Sequence, residues 1–352
     1  MKTEIIKIHP EFPEREKIAR CAKIIRQGGL VVFPTETVYG VAGDEHNNRA
    51  MERLRTVKRR SADKPFSILI SKKDEVAAKT PFHDTRVFKL ADRYWPGPLT
   101  MILSSMEEGK TIGIRMPDHP VALALVKESG CVIAAPSANF ENNPSPRTCE
   151  EALRDMDGLV EAALDAGPAR IGTASTIVDF SKGKPLVTRK GEVVQEDVDE
   201  VVNTKLVLMV CTGNSCRSVM AEYLLKDKLR RRKDIEVVSA GTNVFLTAGA
   251  SSGALRFLRK KGIDAKGHIS RPVTKMLLYK ADLILVMAQQ HRDMILQFLP
   301  EVGKRTFLLG EFAEGGLKRD MDIADPMGLE DSVYEESGRI IEEALEKVIK
   351  IL

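Results

Sequence analysis

The stretch that most constrains this chain is LVLMVCTGNSCRSVMAEYLL, residues 206–225. Leu206–Val210 are five apolar residues in a row, the pattern of a parallel strand buried on both faces. A helix is expected over 218–232, so a tight loop must carry the chain from strand to helix. Within that loop Cys211 and Arg217 stand in a Cys-x5-Arg spacing. Such a loop can wrap a tetrahedral oxyanion in successive backbone N–H groups, with the helix dipole behind them. Both effects favour a thiolate nucleophile at Cys211. Arg217 offers a planar fork to two phosphate oxygens, which a lysine cannot imitate. Gly213 lets the backbone approach closely, Asn214 is placed to brace the loop, and Ser218 to donate to the sulfur.

The pattern continues in alternation: strand 235–239, helix about 248–261, strand 283–287, helix 289–298, strand 306–309 and helix 332–351. That order predicts an α/β domain with a parallel sheet and helices on both faces. Upstream, GEVVQEDVDEVVNTK (191–205) carries five acidic residues and little core material. The boundary is therefore set at 204, giving domains 1–204 and 205–352. The first contains short β-like runs at 30–33, 66–70, 99–103 and 131–135, and an amphipathic helix over 15–29 that ends at Gly28-Gly29. An α/β unit is expected there, and the family resemblance of this half, given below, implies a twisted open α/β sheet.

Composition narrows the setting. A net charge of +4 over 352 residues gives no argument for a nucleic-acid binder from totals alone. No run of about 18 apolar residues predicts a membrane span. The N-terminus lacks the apolar core of a secretion signal. Five cysteines, odd in number and sparse, fit free thiols in a reducing, cytoplasmic compartment. No Cys/His spacing suits zinc, and no metal site is expected.

A thiolate that displaces a phosphorylated group needs an acid for the leaving atom. Asp325, in ADPMG (324–328), is the candidate, its loop stiffened by Pro326. With CTGNSCRS, the following MAE, SAGT (239–242), ADLILVM (281–287) and the Asp-Pro loop, the second half resembles the low-molecular-weight protein phosphatases. The resemblance implies hydrolysis of phosphorylated protein side chains through a cysteinyl-phosphate, with no cofactor. It assigns catalysis to Cys211, Arg217 and Asp325, and loop support to Gly213, Asn214, Ser215 and Ser218. Tyrosine-directed members carry aromatic residues after Asp-Pro, where this chain has Met327 and Gly328. They also carry an aliphatic residue where it has Ser215, and arginine-directed members carry threonine there. Phosphoarginine is favoured over phosphotyrosine. Thiol-linked arsenate reductases have a similar loop but need relay cysteines downstream, and none follows Cys216. Cys216 has two readings, a reversible redox partner of Cys211 or a loop-packing residue.

The first half has no Walker loop. It has a hydroxyl-rich turn, PTETVYG (34–40), a basic run, VKRRSADKP (57–65), and TIGIRMPDHP (111–120) with Arg115. APSANF (135–140), STIVD (175–179) and VTRKGE (187–192) follow. Singly, a basic run is a solvated helix face and Ser-Ala-Asn a turn. Together, Lys58-x-Arg60 and Ser137-x-Asn139 resemble the signature of the YrdC/Sua5 family, and the other segments fall in its order over about 8–200. That resemblance implies synthesis of threonylcarbamoyl-adenylate from L-threonine, bicarbonate and ATP with Mg2+. This is a step toward a tRNA modification, with tRNA or tRNA-modification proteins as partners. By position, Thr35, Arg115 and Ser175 would contact threonine. Lys58, Arg60, Thr111, Ser137, Asn139, Ser145 and Arg189 would contact ATP. Ala62 departs from the family, which often has a polar contact there. The rival expectation is an RNA- or nucleotide-binding module that steers a tyrosine phosphatase.

Overall fold

A computed structural model describes residues 2–59, 65–81, 83–313 and 321–352. Arg60 and Ala62 lie outside the described residues. The chain divides into two units, Met1–His83 with Lys89–Val201, and Asp84–Phe88 with Val202–Leu352.

The first unit is built on ten strands: β1 (Glu4–Lys7), β2 (Val31–Phe33), β3 (Gly40–Asp44), β4 (Ser67–Leu69), β5 (Leu99–Ser104), β6 (Thr111–Arg115), β7 (Ile133–Ala134), β8 (Ala162–Asp165), β9 (Thr176–Asp179) and β10 (Leu186–Arg189). They form one mixed sheet in the order β1-β8-β2-β3-β7-β4-β6-β5-β9-β10. Side chains alternate faces along a strand, and the two cores follow that alternation. Val31 and Phe33 join Ile18, Ile25, Val121 and Leu125, from helices Arg15–Arg26 and Pro120–Ser129. Leu30 and Val32 join Leu54, Val57, Ala152 and Met156, from helices Asn48–Lys58 and Cys149–Met156. Both faces of the sheet are covered.

The first helix ends at Arg26, and Gly28 turns the chain out with φ +80°. A Cβ at Gly29 would stand 2.5 Å from Ile24 Cγ2. The acidic stretch after Gly191 is not bare linker. It forms a helix, Gln195–Asn203, that buries Val198, with Val193 buried just before it. One apolar face suffices to seat an otherwise charged helix.

The second unit has four strands, β11 (Lys205–Cys211), β12 (Ile235–Gly241), β13 (Leu283–Val286) and β14 (Thr306–Leu308). Every pairing is parallel, in the order β12-β11-β13-β14. Val207 and Met209 pack with helices Arg217–Lys228 and Asp331–Ile351. Leu206, Leu208 and Val210, on the opposite face, are buried too. The chain leaves β11 for β12 on one side and reaches β13 on the other. The end of β11 is therefore a topological switch point, where open α/β sheets bind ligands. Among the described residues no helix is long and apolar enough to cross a membrane.

Candidate active sites

Cys211 is the last residue of β11 and Arg217 the first of the following helix. Asn214 makes the turn between them with φ 53°, a conformation asparagine tolerates better than most residues. Its Oδ1 accepts the Arg271 backbone N–H at 2.9 Å. That bond fixes the amide, so Nδ2 donates to Ser218 Oγ at 3.0 Å and Ser239 Oγ at 2.7 Å. Ser239 then donates to the buried carboxylate of Glu222. Ser218, having accepted from Asn214, keeps its own proton to offer, and Cys211 Sγ lies 3.0 Å away. His268 Nε2 donates to the Asn214 carbonyl at 2.9 Å.

The loop is backed by Gly241, where a Cβ would meet Thr212 O at 2.5 Å and Asn214 N at 2.9 Å. Gly213 is different. A Cβ there would meet only Ser215 Oγ, at 3.5 Å, so the chain's own packing does not demand glycine.

Asp325, 114 residues beyond Cys211 (325 − 211), is brought to the loop. Its Oδ2 pairs with Arg217 Nη2 at 2.5 Å, Arg217 being 4% and Asp325 47% exposed. Arg217 Nη1 donates to Ile323 O at 2.9 Å. Its Nε is buried without a partner among the described residues. Asp325 Oδ1 accepts Met327 N at 3.2 Å, and Gly328, at φ +77°, completes the turn. Met327 Sδ lies 3.9 Å from Cys216 Sγ, with Ser251 Oγ and Tyr334 OH at 3.1 and 3.6 Å. Cys216 is therefore packed on three sides.

His291 completes the surround. It is buried, and Nδ1 has no partner among the described residues. Its Nε2 lies 2.9 Å from Thr212 Oγ1. Burial, then the nearby Arg217 charge, push its pKa down to about 4.

In the first unit, a cleft of about 160 Å3 is lined by Thr35, Lys58, Arg115, Ser137, Ser175 and Arg189. They come from the loop after β2, the end of helix Asn48–Lys58, the end of β6, the loop after β7, the position just before β9 and the end of β10. Lys58 Nζ donates to Ser137 O at 2.7 Å, to Asn139 Oδ1 at 3.1 Å, and to Asn139 O. Asn139 holds the lysine and does not line the cleft. Arg189 donates from Nη2 to Ser175 Oγ at 3.0 Å, and Ser175 Oγ lies 2.8 Å from Thr100 Oγ1. Arg115 Nε donates to Gly97 O at 3.2 Å, and Nη2 pairs with Glu36 Oε1 at 2.7 Å. Thr111 lines a neighbouring cleft of about 560 Å3 with Arg55 and Phe66. Ser145 lines neither. Cys21 and Cys149 are buried thiols whose pKa burial pushes up to about 12 and about 11.

Sequence reasoning missed Glu36, Thr100, Glu222, Ser239, His268 and His291 as parts of these sites. Glu36 was visible as the lone acid in PTETVYG. For the rest, no local signal marks the partner. Among the described residues no three His, Cys, Asp or Glu side chains gather as they would around a metal ion.

The sequence model of the Sua5/yciO/yrdC family, described as telomere recombination, matches residues 23–191. That of the low molecular weight phosphotyrosine protein phosphatases matches 206–352. The threonylcarbamoyl-AMP synthase of Bacillus subtilis is 36% identical over 195 residues, 53% of this chain and 56% of its own. The chain thus spans little more than half of that relative. A putative threonylcarbamoyl-AMP synthase of Mycobacterium tuberculosis is 33% identical over 186 residues, 51% of this chain and 85% of its own. A double variant of Pyrococcus abyssi Sua5 superposes with a TM-score of 0.54 at 28% identity, covering 74% of this chain and 89% of that one. Fold and sites thus define an α/β chain in which a YrdC-type unit precedes one of phosphatase type. The chain belongs to the Sua5/YciO/YrdC family through its first half, and its second half carries the low-molecular-weight phosphatase pattern.

Proposed function

We propose that the chain is a bifunctional cytoplasmic enzyme, with domains 1–204 and 205–352. The first forms threonylcarbamoyl-AMP from L-threonine, bicarbonate and ATP, supplying a tRNA modification. The second hydrolyses phosphorylated protein side chains, phosphoarginine before phosphotyrosine. ATP enters as its Mg2+ complex, substrate rather than resident cofactor.

What carries the first reading is that Thr35, Lys58, Arg115, Ser137, Ser175 and Arg189, far apart in sequence, line one cleft. A carbamate oxygen of the substrate attacks the α-phosphorus and pyrophosphate leaves. The cleft contributes positioning and charge neutralisation. A pure RNA binder has no use for a buried arginine and hydroxyls suited to an amino acid. What carries the second reading is Cys211 beside Ser218, with Arg217 linked to Asp325. The Cys211 thiolate attacks phosphorus, the bond to nitrogen or oxygen breaks, and Asp325 protonates the leaving atom. Water then attacks the cysteinyl-phosphate, with Asp325 as base.

The test is the full chain incubated with ATP, bicarbonate and threonine. Threonine-dependent pyrophosphate release is expected. No release from a sample that still hydrolyses p-nitrophenyl phosphate would remove the synthase reading and favour the binding module.

A further inference from the structure

Asp325 has to meet a leaving atom held over Cys211, yet it is 47% exposed and belongs to a loop. Its carboxylate pairs with Arg217, which also donates from Nη1 to Ile323 O. In the proposed reaction that same guanidinium turns its fork to phosphate oxygens. The hold of Arg217 on the acid loop therefore competes with its hold on substrate.

Other contacts fix the loop without Arg217. Ile323 N donates to Met287 O, just past β13, at 2.8 Å. Pro326 is buried and its ring fixes φ, and its carbonyl accepts Leu329 N at 3.0 Å. Between these anchors, one residue before Asp325, Ala324 O accepts Ser337 Oγ at 3.1 Å. Ser337 is 1% exposed and lies in helix Asp331–Ile351. A serine inside a helix ordinarily bonds the carbonyl four residues back or faces water. This one reaches 13 residues back, out of its helix and into the acid loop. The helix is a firm post for it. A Cβ at Gly338 would stand 2.2 Å from the Phe257 ring, and one at Gly253 2.4 Å from the Tyr334 ring. Helices Ser252–Lys260 and Asp331–Ile351 are thus seated closely at residues on either side of Ser337.

We infer that Ser337 is a positioning residue for the general acid. It holds the Ala324 carbonyl, and through it the Asp325 backbone, at the reach that the leaving atom requires. Ser337 itself touches no substrate. This rests on the phosphatase reading of the second unit. The step served is the first one. The bond from Cys211 sulfur to phosphorus forms, the bond from phosphorus to oxygen or nitrogen breaks, and the Asp325 proton goes to the leaving atom.

The test compares two esters on the full chain. Phenyl phosphate expels a basic phenolate that needs the proton, and dinitrophenyl phosphate expels one that does not. Ser337→Ala should lower kcat/KM for phenyl phosphate about tenfold, part of the roughly 100-fold or more that a placed acid supplies. Dinitrophenyl phosphate should stay within about twofold. In an Asp325→Asn background, Ser337→Ala should slow neither ester further, because residues that act through one proton are not additive. A merely structural serine would loosen the nucleophile loop and slow both esters by the same factor. Equal loss on both esters, no loss on either, or a full additional loss in the Asp325→Asn background overturns the inference. Ser337→Cys, close in volume and a far weaker donor, carries the same comparison where the alanine variant does not fold. Hydrolysis of dinitrophenyl phosphate that survives Cys211→Ser undiminished is a separate outcome, and it removes the phosphatase reading beneath the inference.

Discussion

The two sites hold their anions by opposite constructions. In the second unit one strand, one loop and one helix supply nucleophile, turn and arginine within residues 211–218. Only Asp325 comes from elsewhere among the proposed catalytic groups. In the first unit no segment supplies more than one of the six lining residues proposed to contact substrate, and the cleft exists only once the sheet has brought β6, β9 and β10 together. A site built on one short segment concentrates its chemistry in single atoms. A site assembled from many segments spreads its work over contacts that are each modest. The first should fail all at once and the second by degrees.

The largest expected effect tests that contrast directly. Cys211→Ser removes the one attacking sulfur, so p-nitrophenyl phosphate hydrolysis should fall by about four orders of magnitude or more. Threonine-dependent pyrophosphate release should stay within about twofold, because the cleft lies in the other unit. Persistent phosphatase turnover would take Cys211 out of the nucleophile role.

The second effect concerns what holds the short loop. The fold refuses a proton to His291, whose pKa is pushed down from 6.5 to about 4, chiefly by burial. The unfolded chain accepts that proton near 6.5, so it binds more protons between those values. Stability is therefore full above about pH 6.5 and is lost as pH falls toward 4. The interval is worth roughly 3 kcal/mol when fully titrated. Hydrogen exchange in β11 and β13 at pH 7 and pH 4.5 should show the loss, and His291→Asn should flatten it. An unchanged pH slope in the variant would mean that His291 does not carry the dependence.

Arg189→Ala should show the graded failure of the assembled cleft. It removes two hydrogen bonds to Ser175 and one proposed phosphate contact. The kcat/KM for pyrophosphate release should drop about 10- to 100-fold, from roughly 1.5–3 kcal/mol per charged contact. A loss as complete as that of Cys211→Ser would break the contrast.

The same difference explains what could be read in advance. The second site was legible because its strand, loop and helix follow one another, and the apolar run 206–210 cannot be mistaken for a surface. Its hidden part is the relay from Glu222 through Ser239 and Asn214 to Ser218. That relay depends on β11 lying beside β12, and no local pattern announces such pairing. In the first unit β3 reads GVAGD and is almost wholly buried. Its small residues leave no hydrophobic alternation to read. At Gly43 a Cβ would come to 3.0 Å from Leu30 Cδ2, a contact tight enough to favour a small residue there. The Glu36–Arg115 pair joins residues 79 apart. Family signature could name Arg115, but only the fold shows what neutralises it. The helix Gln195–Asn203 was hidden by its charge, since a single buried valine seats it.

The smallest effect bears on the leaving group. Ser215 is half-buried in the loop, and its carbonyl accepts Ser251 N at 2.8 Å. That bond is made by the backbone, so a change of side chain leaves it in place. The hydroxyl lies 3.7 Å from Cys216 Sγ. Ser215→Ile exchanges a polar wall for an apolar one. It should lower the ratio of kcat/KM for phosphoarginine over phosphotyrosine peptides by about tenfold, or 1.4 kcal/mol. The ratio is the informative quantity, because a disturbed loop slows both substrates alike and leaves it unchanged. An unchanged ratio would place the choice of leaving group outside the loop, and the compact site would then depend on distant segments as the cleft does.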